Sequence, residues 1–191
     1  MPELPGGDIL IIAGDLTAQN REQEYKDFEE WALSSPYKEI VVVPGNHDTK
    51  IRSLNTDRIN VLIDQSLDIE GLKIYGSPWS LYFEGISPFC TAYTKKSEGG
   101  LHELFSKIPE DLDILVTHSP PYKILDKIFS GFHAGSLSLR MCVDNRRPKN
   151  HVYGHIHEGY GQKTIGETTF INASYVDVRY KPVNKIITLD I

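Results

Sequence analysis

Residues 46–48, Asn46-His47-Asp48, set an amide, an imidazole and a carboxylate side by side, directly after the run Ile40-Val41-Val42-Val43 and the pair Pro44-Gly45. Oxygen and nitrogen donors in one short turn suit metal binding and proton transfer. Three other apolar runs end in residues of the same kind. Residues 8–13 lead into Gly14-Asp15, residues 113–117 into His118, and residues 151–153 into Gly154-His155-Ile156-His157. A β-branched run reads as a buried strand, and α/β proteins place ligand sites at the carboxyl ends of their strands. Four strand ends therefore bring Asp, Asn and His to one rim.

The donor set is mixed. Asp15 and Asn46 offer oxygen, His118 and His155 offer nitrogen, and such a set suits Mn, Fe, Zn or Co better than Ca, which takes an oxygen shell. His155 and His157 are two residues apart, so extended backbone would put both on one face, next to a second metal position. The carboxylate of Asp48, adjacent to His47, is expected to orient its imidazole, leaving His47 as a proton donor to a departing oxygen or a cation for developing phosphoryl charge. His133 and Ser136 read equally well as phosphate contacts or as turn residues.

The elements that must hold these residues follow from periodicity. Tyr25, Phe28, Trp31 and Ala32 recur at three- and four-residue steps over residues 21–33, a helix stripe that covers a sheet. With the flanking runs it forms a βαβ unit that delivers Asp15 and Asn46 to the same edge. A short helix is expected over residues 49–55 and a strand over residues 71–80. Residues 81–96 form a long aromatic-bearing loop. Leu101, Leu104, Phe105 and Ile108 mark a second helix, with His102 on its surface. Residues 134–143 form a third helix opening near Gly135-Ser136. Strands at residues 161–165, 168–171 and 185–190 close a single domain of two packed sheets with helices outside.

Composition narrows the function classes. The chain has 191 residues, 40% hydrophobic and 24% charged, which suits one soluble domain, and no segment approaches the roughly 20 apolar residues of a membrane span. The start, without a basic and then an apolar stretch, gives no sign of a signal peptide, and the expected compartment is the cytoplasm. Cys90 and Cys142 fit free thiols. A net charge of −6 without a basic stripe argues against long nucleic acid, whereas bound cations would let a small phosphate ester approach.

Taken together, Gly14-Asp15, Gly45-Asn46-His47-Asp48, His118 after a strand, and Gly154-His155-Ile156-His157 resemble the calcineurin-like metallophosphoesterase superfamily. Ile74-Tyr75-Gly76-Ser77-Pro78-Trp79, His118-Ser119-Pro120-Pro121 and Ile171-Asn172-Ala173-Ser174 are similar to its metallophosphoesterase-domain-containing branch. The resemblance implies an αββα sandwich of two mixed sheets flanked by helices, and a two-metal phosphodiesterase site acting on small phosphate esters or nucleotides. It implies that Asp15 bridges the metals, that Asn46, His118 and His155 complete one, and that His157 belongs to the other. His47 would be the catalytic histidine and Asp48 its partner.

Members of the superfamily normally open with a strand ending in Asp-x-His, and only seven residues precede the first apolar run here. Asp8 cannot substitute, since seven extended residues put it roughly 23 Å from Asp15. One metal site is then complete and a second incomplete, which leaves a catalytically weak metal- or nucleotide-binding protein as the alternative to an enzyme. The run at residues 8–13 would lack its usual neighbour. Its exposed edge would be covered by a loop, by rearrangement, or by a second copy in a homodimer.

Overall fold

A computed structural model describes the chain except residues 1–3, 52, 53, 55 and 84–89. The first sheet has three parallel strands, β1 (Ile9–Ala13), β2 (Glu39–Val43) and β3 (Ile59–Val61), in the order β1-β2-β3. The second has six: β4 (Gln65–Ile69), β5 (Leu72–Ser77), β8 (Ile114–Thr117), β9 (Asn150–Tyr153), β10 (Gly161–Ile165) and β11 (Thr168–Asn172), in the order β10-β11-β9-β8-β5-β4. Its inner strands β5, β8, β9 and β11 are parallel, and β4 and β10 add antiparallel edges. A ribbon of β6 (Ser80–Leu81) and β7 (Thr94–Lys95) flanks the expected long loop, whose residues 84–89 lie outside those described.

The two-residue alternation of the strands sorts their side chains into layers. From β2, Ile40 and Val42 pack with Tyr25, Phe28 and Ala32 of helix α1 (Glu22–Ser34), while Val41 and Val43 turn the other way. There they meet Ile114 and Val116 of β8, Ile74 of β5, Val152 of β9 and Ile171 of β11. Leu115, between Ile114 and Val116, faces Leu101 and Phe105 of helix α2 (Glu98–Phe105) and Leu139 and Val143 of helix α3 (Leu137–Arg146). The order of layers is helix, sheet, sheet, helices, the αββα sandwich expected. Burying both faces of β2 and β8 explains why these runs are almost wholly β-branched or leucine.

Helix ends are closed by specific partners. Ser97 and Ser136 cap α2 and α3 by accepting from the amides of Gly100 and Leu139. Ser136 thus has a structural role, its hydroxyl also donating to Glu98. His133 likewise pairs with the buried Asp126, Nδ1 to Oδ1 at 2.6 Å.

Residues 52, 53 and 55 of the expected helix at 49–55 lie outside those described, and the described part shows turns at 49 and 50 and a 3₁₀ conformation at Ile51. One expectation needs correction. Residues 185–190 form no strand. Ile187 and Leu189 instead lie against the core with Ile9 and Ile11 without joining a ladder, and β1 is left as the edge of its sheet. No helix among the described residues is long and apolar enough to cross a membrane.

Candidate metal centre

Because β1 and β2 run parallel, as do β5, β8 and β9, their carboxyl ends open on one rim. Asp15, Asn46, His118 and His155 all follow such ends within three residues. The strand-to-loop turns meet closely. A Cβ on Gly45 would lie 2.2 Å from Oδ1 of Asp15 and 2.7 Å from Cε1 of His118, so only hydrogen fits there. Gly14, at φ +93°, leaves no room either, since its Cβ would stand 2.3 Å from Nδ1 of His118.

Nδ1 of His118 lies 3.0 Å from the carbonyl oxygen of Ala13. A carbonyl only accepts, so Nδ1 carries the proton and Nε2 presents a lone pair. That lone pair faces Oδ1 of Asn46 at 2.8 Å and Oδ1 of Asp15 at 3.4 Å. Asn46 is turned this way because its amide nitrogen donates to the carbonyl of Cys90 at 3.2 Å. His155 completes the group: ligand atoms of Asp15, His118 and His155 all lie within 4.8 Å of one another. Acceptor atoms crowded together without intervening hydrogens repel, and a cation removes the conflict. Ligands bonded to one ion at about 2.1 Å stand roughly 3 to 4 Å apart, so the group fits a divalent transition ion by its chemistry and would draw in around it from a spread of up to 4.8 Å.

The electrostatics agree. Burial, and then the neighbouring His118, push the His155 imidazole down to about 3, leaving it neutral and able to ligate. Burial works to raise the Asp15 carboxyl, but the neighbouring imidazoles of His118, His47 and His155 and the bond from the His47 amide outweigh it and hold it below the usual range.

His47 sits beside this group, its backbone amide donating to Oδ1 of Asp15 at 3.2 Å. Its Nδ1 faces the Ala18 carbonyl at 3.0 Å, with Sγ of Cys90 at 3.6 Å. Asp48 does not orient this ring as expected. Its carboxylate, fully buried, accepts from the amides of Gly45 at 2.8 Å and of Leu16 and Thr17 at 3.1 Å each, and from the Thr17 hydroxyl at 3.2 Å. A buried carboxylate between two loops must collect N–H and O–H donors, and these backbone groups supply them. Asp48 braces the turns that carry Asp15 and Asn46, and the Ala18 carbonyl is what holds His47.

His157 stands apart from the three-residue group. The shared face expected for His155 and His157 requires extended backbone, but His155 is left-handed at φ +68° and His157 opens a 3₁₀ turn, His157–Gly159. Nδ1 of His157 meets the carbonyl of Asp177 at 2.9 Å, and the Tyr180 ring lies edge-on to it at 5.4 Å. Phe83 stacks near His155, with ring centroids 6.4 Å apart. Sequence reasoning missed Asp177, Tyr180 and the carbonyls of Ala13 and Ala18, since backbone acceptors leave no signal in residue type.

A layered sandwich with histidine, aspartate and asparagine on its strand-end rim defines a class of metal-dependent phosphoesterases, and the chain belongs to the calcineurin-like phosphoesterase family, whose model matches residues 2–159. It is 34% identical over 220 residues to metallophosphoesterase domain-containing protein 1 of Homo sapiens, covering 99% of this chain and 66% of the human protein. A UPF0046 protein of Caenorhabditis elegans is 33% identical over 218 residues, covering all of this chain and 75% of the worm protein. The chain thus spans just under two thirds of the human relative. A crystal structure from Thermus thermophilus shares the fold, with a TM-score of 0.59 at 16% identity over 87% of this chain and 76% of that one.

Proposed function

We propose that the chain is a metal-dependent phosphodiesterase acting on small phosphate esters, nucleotides included. The observation that carries this reading is the gathering of Oδ1 of Asn46 and Oδ1 of Asp15 at 2.8 and 3.4 Å from Nε2 of His118, with His155 beside them. Asp15, Asn46, His118 and His155 would hold the ion. When bound, a divalent cation supplies charge neutralisation for the phosphoryl group and a water of lowered pKa.

The chain's own residues do the rest. The Ala18 carbonyl fixes the proton of His47 on Nδ1, so Nε2 is the atom left to exchange a proton with the leaving oxygen. The Asp48 brace holds the backbone that sets His47 beside Asp15. Such positioning removes reorganisation from the reaction step.

One observation favours a second reading, phosphate binding with weak turnover: His157 lies outside the ligand group, which supports a single ion. Hydrolysis of bis(p-nitrophenyl) phosphate by metal-stripped protein, titrated with Mn²⁺ beside His47→Ala, separates the two. A saturable rate that falls at least 100-fold in the variant supports the diesterase. A rate no higher than that of the variant at any Mn²⁺ concentration overturns it in favour of binding.

A further inference from the structure

Adjacent residues of the 3₁₀ turn His157–Gly159, which follows His155, each hold a loop. Oε1 of Glu158 accepts from the Phe129 amide at 3.0 Å, and Nδ1 of His157 meets the Asp177 carbonyl at 2.9 Å. Each loop carries apolar side chains that the protein does not cover. Phe129 is 97% exposed and Phe132 63%, and on the second loop Tyr180 is 62% exposed, with Val178 and Val183 exposed beside it in sequence.

Both loops are fixed by their own hydrogen bonds. The Ile128 amide donates to the Phe132 carbonyl at 2.9 Å and the Gly131 amide to that of Ile128 at 2.8 Å, while Lys127 and His133 form an antiparallel bridge. The buried Asp126 ties down this base, accepting from the amides of Lys123 and Gly135 and pairing with His133. In the second loop Oδ1 of Asp177 accepts from the amides of Arg179 at 2.8 Å and Lys181 at 2.9 Å, and Val176 and Pro182 bridge its base. Tyr180 is left-handed at φ +58°, a conformation that a bulky residue keeps only where its surroundings impose it. The exposed rings therefore stand on ordered backbone, and little ordering is left to be done on contact with a partner.

The charge around these rings is positive in a chain whose net charge is −6. Over residues 122–133 and 176–183 the permanent cations are Lys123, Lys127, Arg179 and Lys181, all exposed, against Asp126 and Asp177, whose carboxylates are engaged by the loop amides. The Lys127 stem runs along the tip of its loop, since a Cβ on Gly131 would lie 3.7 Å from its Cε. Apolar rings interleaved with exposed cations suit the surface of an anionic bilayer, where rings enter the headgroup layer and the charged heads reach lipid phosphates. Side chains that project singly fit a soft interface that closes around each one. A folded partner would instead need a continuous face of roughly 800 Å².

We propose that the two loops dock the protein on an anionic membrane surface, with Phe129, Phe132 and Tyr180 entering the headgroup layer and Lys127, Arg179 and Lys181 meeting its charge. No helix among the described residues can cross a bilayer, so the contact is with one face. The contact requires neither metal nor turnover, and it sets the strand-end rim beside lipid headgroups.

Vesicle sedimentation of the full-length chain in chelator is the test. Wild type is expected to pellet with phosphatidylcholine vesicles containing about 30% phosphatidylserine and to stay in solution with phosphatidylcholine alone. The double variant Phe129→Ser/Phe132→Ser is expected to bind about 10-fold more weakly with an unchanged thermal melt, because the atoms it removes face solvent. Arg179→Glu/Lys181→Glu should weaken binding to the anionic vesicles as well. In Phe129→Trp, brominated lipid should quench the added fluorescence, which separates entry of the ring from attraction of charge and decides the case should the double variant melt without cooperativity.

Wild type that stays in solution with anionic vesicles, equal binding to both vesicle types, a serine variant that binds like wild type, or added fluorescence that brominated lipid leaves unquenched overturns the proposal. Light scattering that shows a wild-type dimer and a monomeric serine variant, without vesicle binding, gives the surface to a second copy and overturns it too. Binding is read without metal or substrate, so the docking role and the phosphodiesterase reading fail separately.

Discussion

Oδ1 of Asn46 and Nε2 of His118 stand 2.8 Å apart, the amide fixed by the Cys90 carbonyl and the ring by that of Ala13, so that in the neutral ring with its proton on Nδ1 the two meet as acceptors. Removing the clash should stabilise the metal-free protein, and removing the ligand should weaken the loaded one. Asn46→Leu is therefore expected to melt higher than wild type in chelator and to lose most of the gain on adding Mn²⁺. Wild type should gain about 2.7 kcal/mol at Mn²⁺ 100-fold above its dissociation constant. Thermal melts with and without Mn²⁺ decide it, and equal shifts in both proteins would remove Asn46 from the site.

Gly45→Ala should disable the site while the sandwich survives. Its methyl would press on Oδ1 of Asp15 and Cε1 of His118, and such overpacking costs about 1–3 kcal/mol. The expected result is a cooperative melt at lower temperature with Mn²⁺ affinity reduced at least 10-fold. Wild-type affinity in this variant would show that the turns can separate at no cost.

Asp48→Asn separates a brace from a histidine partner. The amide keeps one acceptor oxygen and turns its nitrogen toward backbone N–H groups, so a buried bonding pair is lost at about 1–3 kcal/mol or more. Chemical unfolding should show this loss in metal-free protein. If stability were unchanged and only turnover fell, Asp48 would act through His47 after all.

Acid should weaken the fold through His151. This ring is fully buried, with Nε2 at 2.9 Å from Oγ1 of Thr117 and no partner for Nδ1 among the described residues, and burial pushes it down to about 3. Thr117 gives its own proton to the Ser119 carbonyl, so Nε2 is the donor. Below pH 6.5 the unfolded chain takes up a proton that the folded chain refuses until about pH 3, so stability falls as pH drops through that window. The slope approaches about 1.4 kcal/mol per pH unit. Urea unfolding between pH 8 and 5 should show a shallower decline in His151→Leu, and parallel declines would locate the acid sensitivity elsewhere.

The parts of this molecule that can be read before folding are those set by local pattern. Val41 and Val43 alternate with Ile40 and Val42, and a run buried on both faces is enough to place Asn46 at a strand end. His118 follows from β8 in the same way. The two-residue rule misplaces His157 relative to His155, because it holds only for extended backbone and His155 turns left-handed. Adjacency in sequence gives Asp48 to His47, whereas burial makes it serve amides about thirty residues earlier in the chain. The tail at residues 185–191 keeps Ile187 and Leu189 against the core without a ladder, and hydrophobic period alone cannot tell a paired strand from a packed segment that pairs with nothing.

The bond from His118 to the Ala13 carbonyl spans 105 residues. During synthesis β1 emerges early, yet the lone pair it helps to aim cannot exist until β8 has formed and docked on the opposite sheet. Contacts of such long range form late, since the intervening loop must first be closed. Metal capture should accordingly be among the last events of folding. The kinetics of Mn²⁺ uptake during refolding would then time the docking of the two sheets, making the ion a clock for assembly of the whole sandwich.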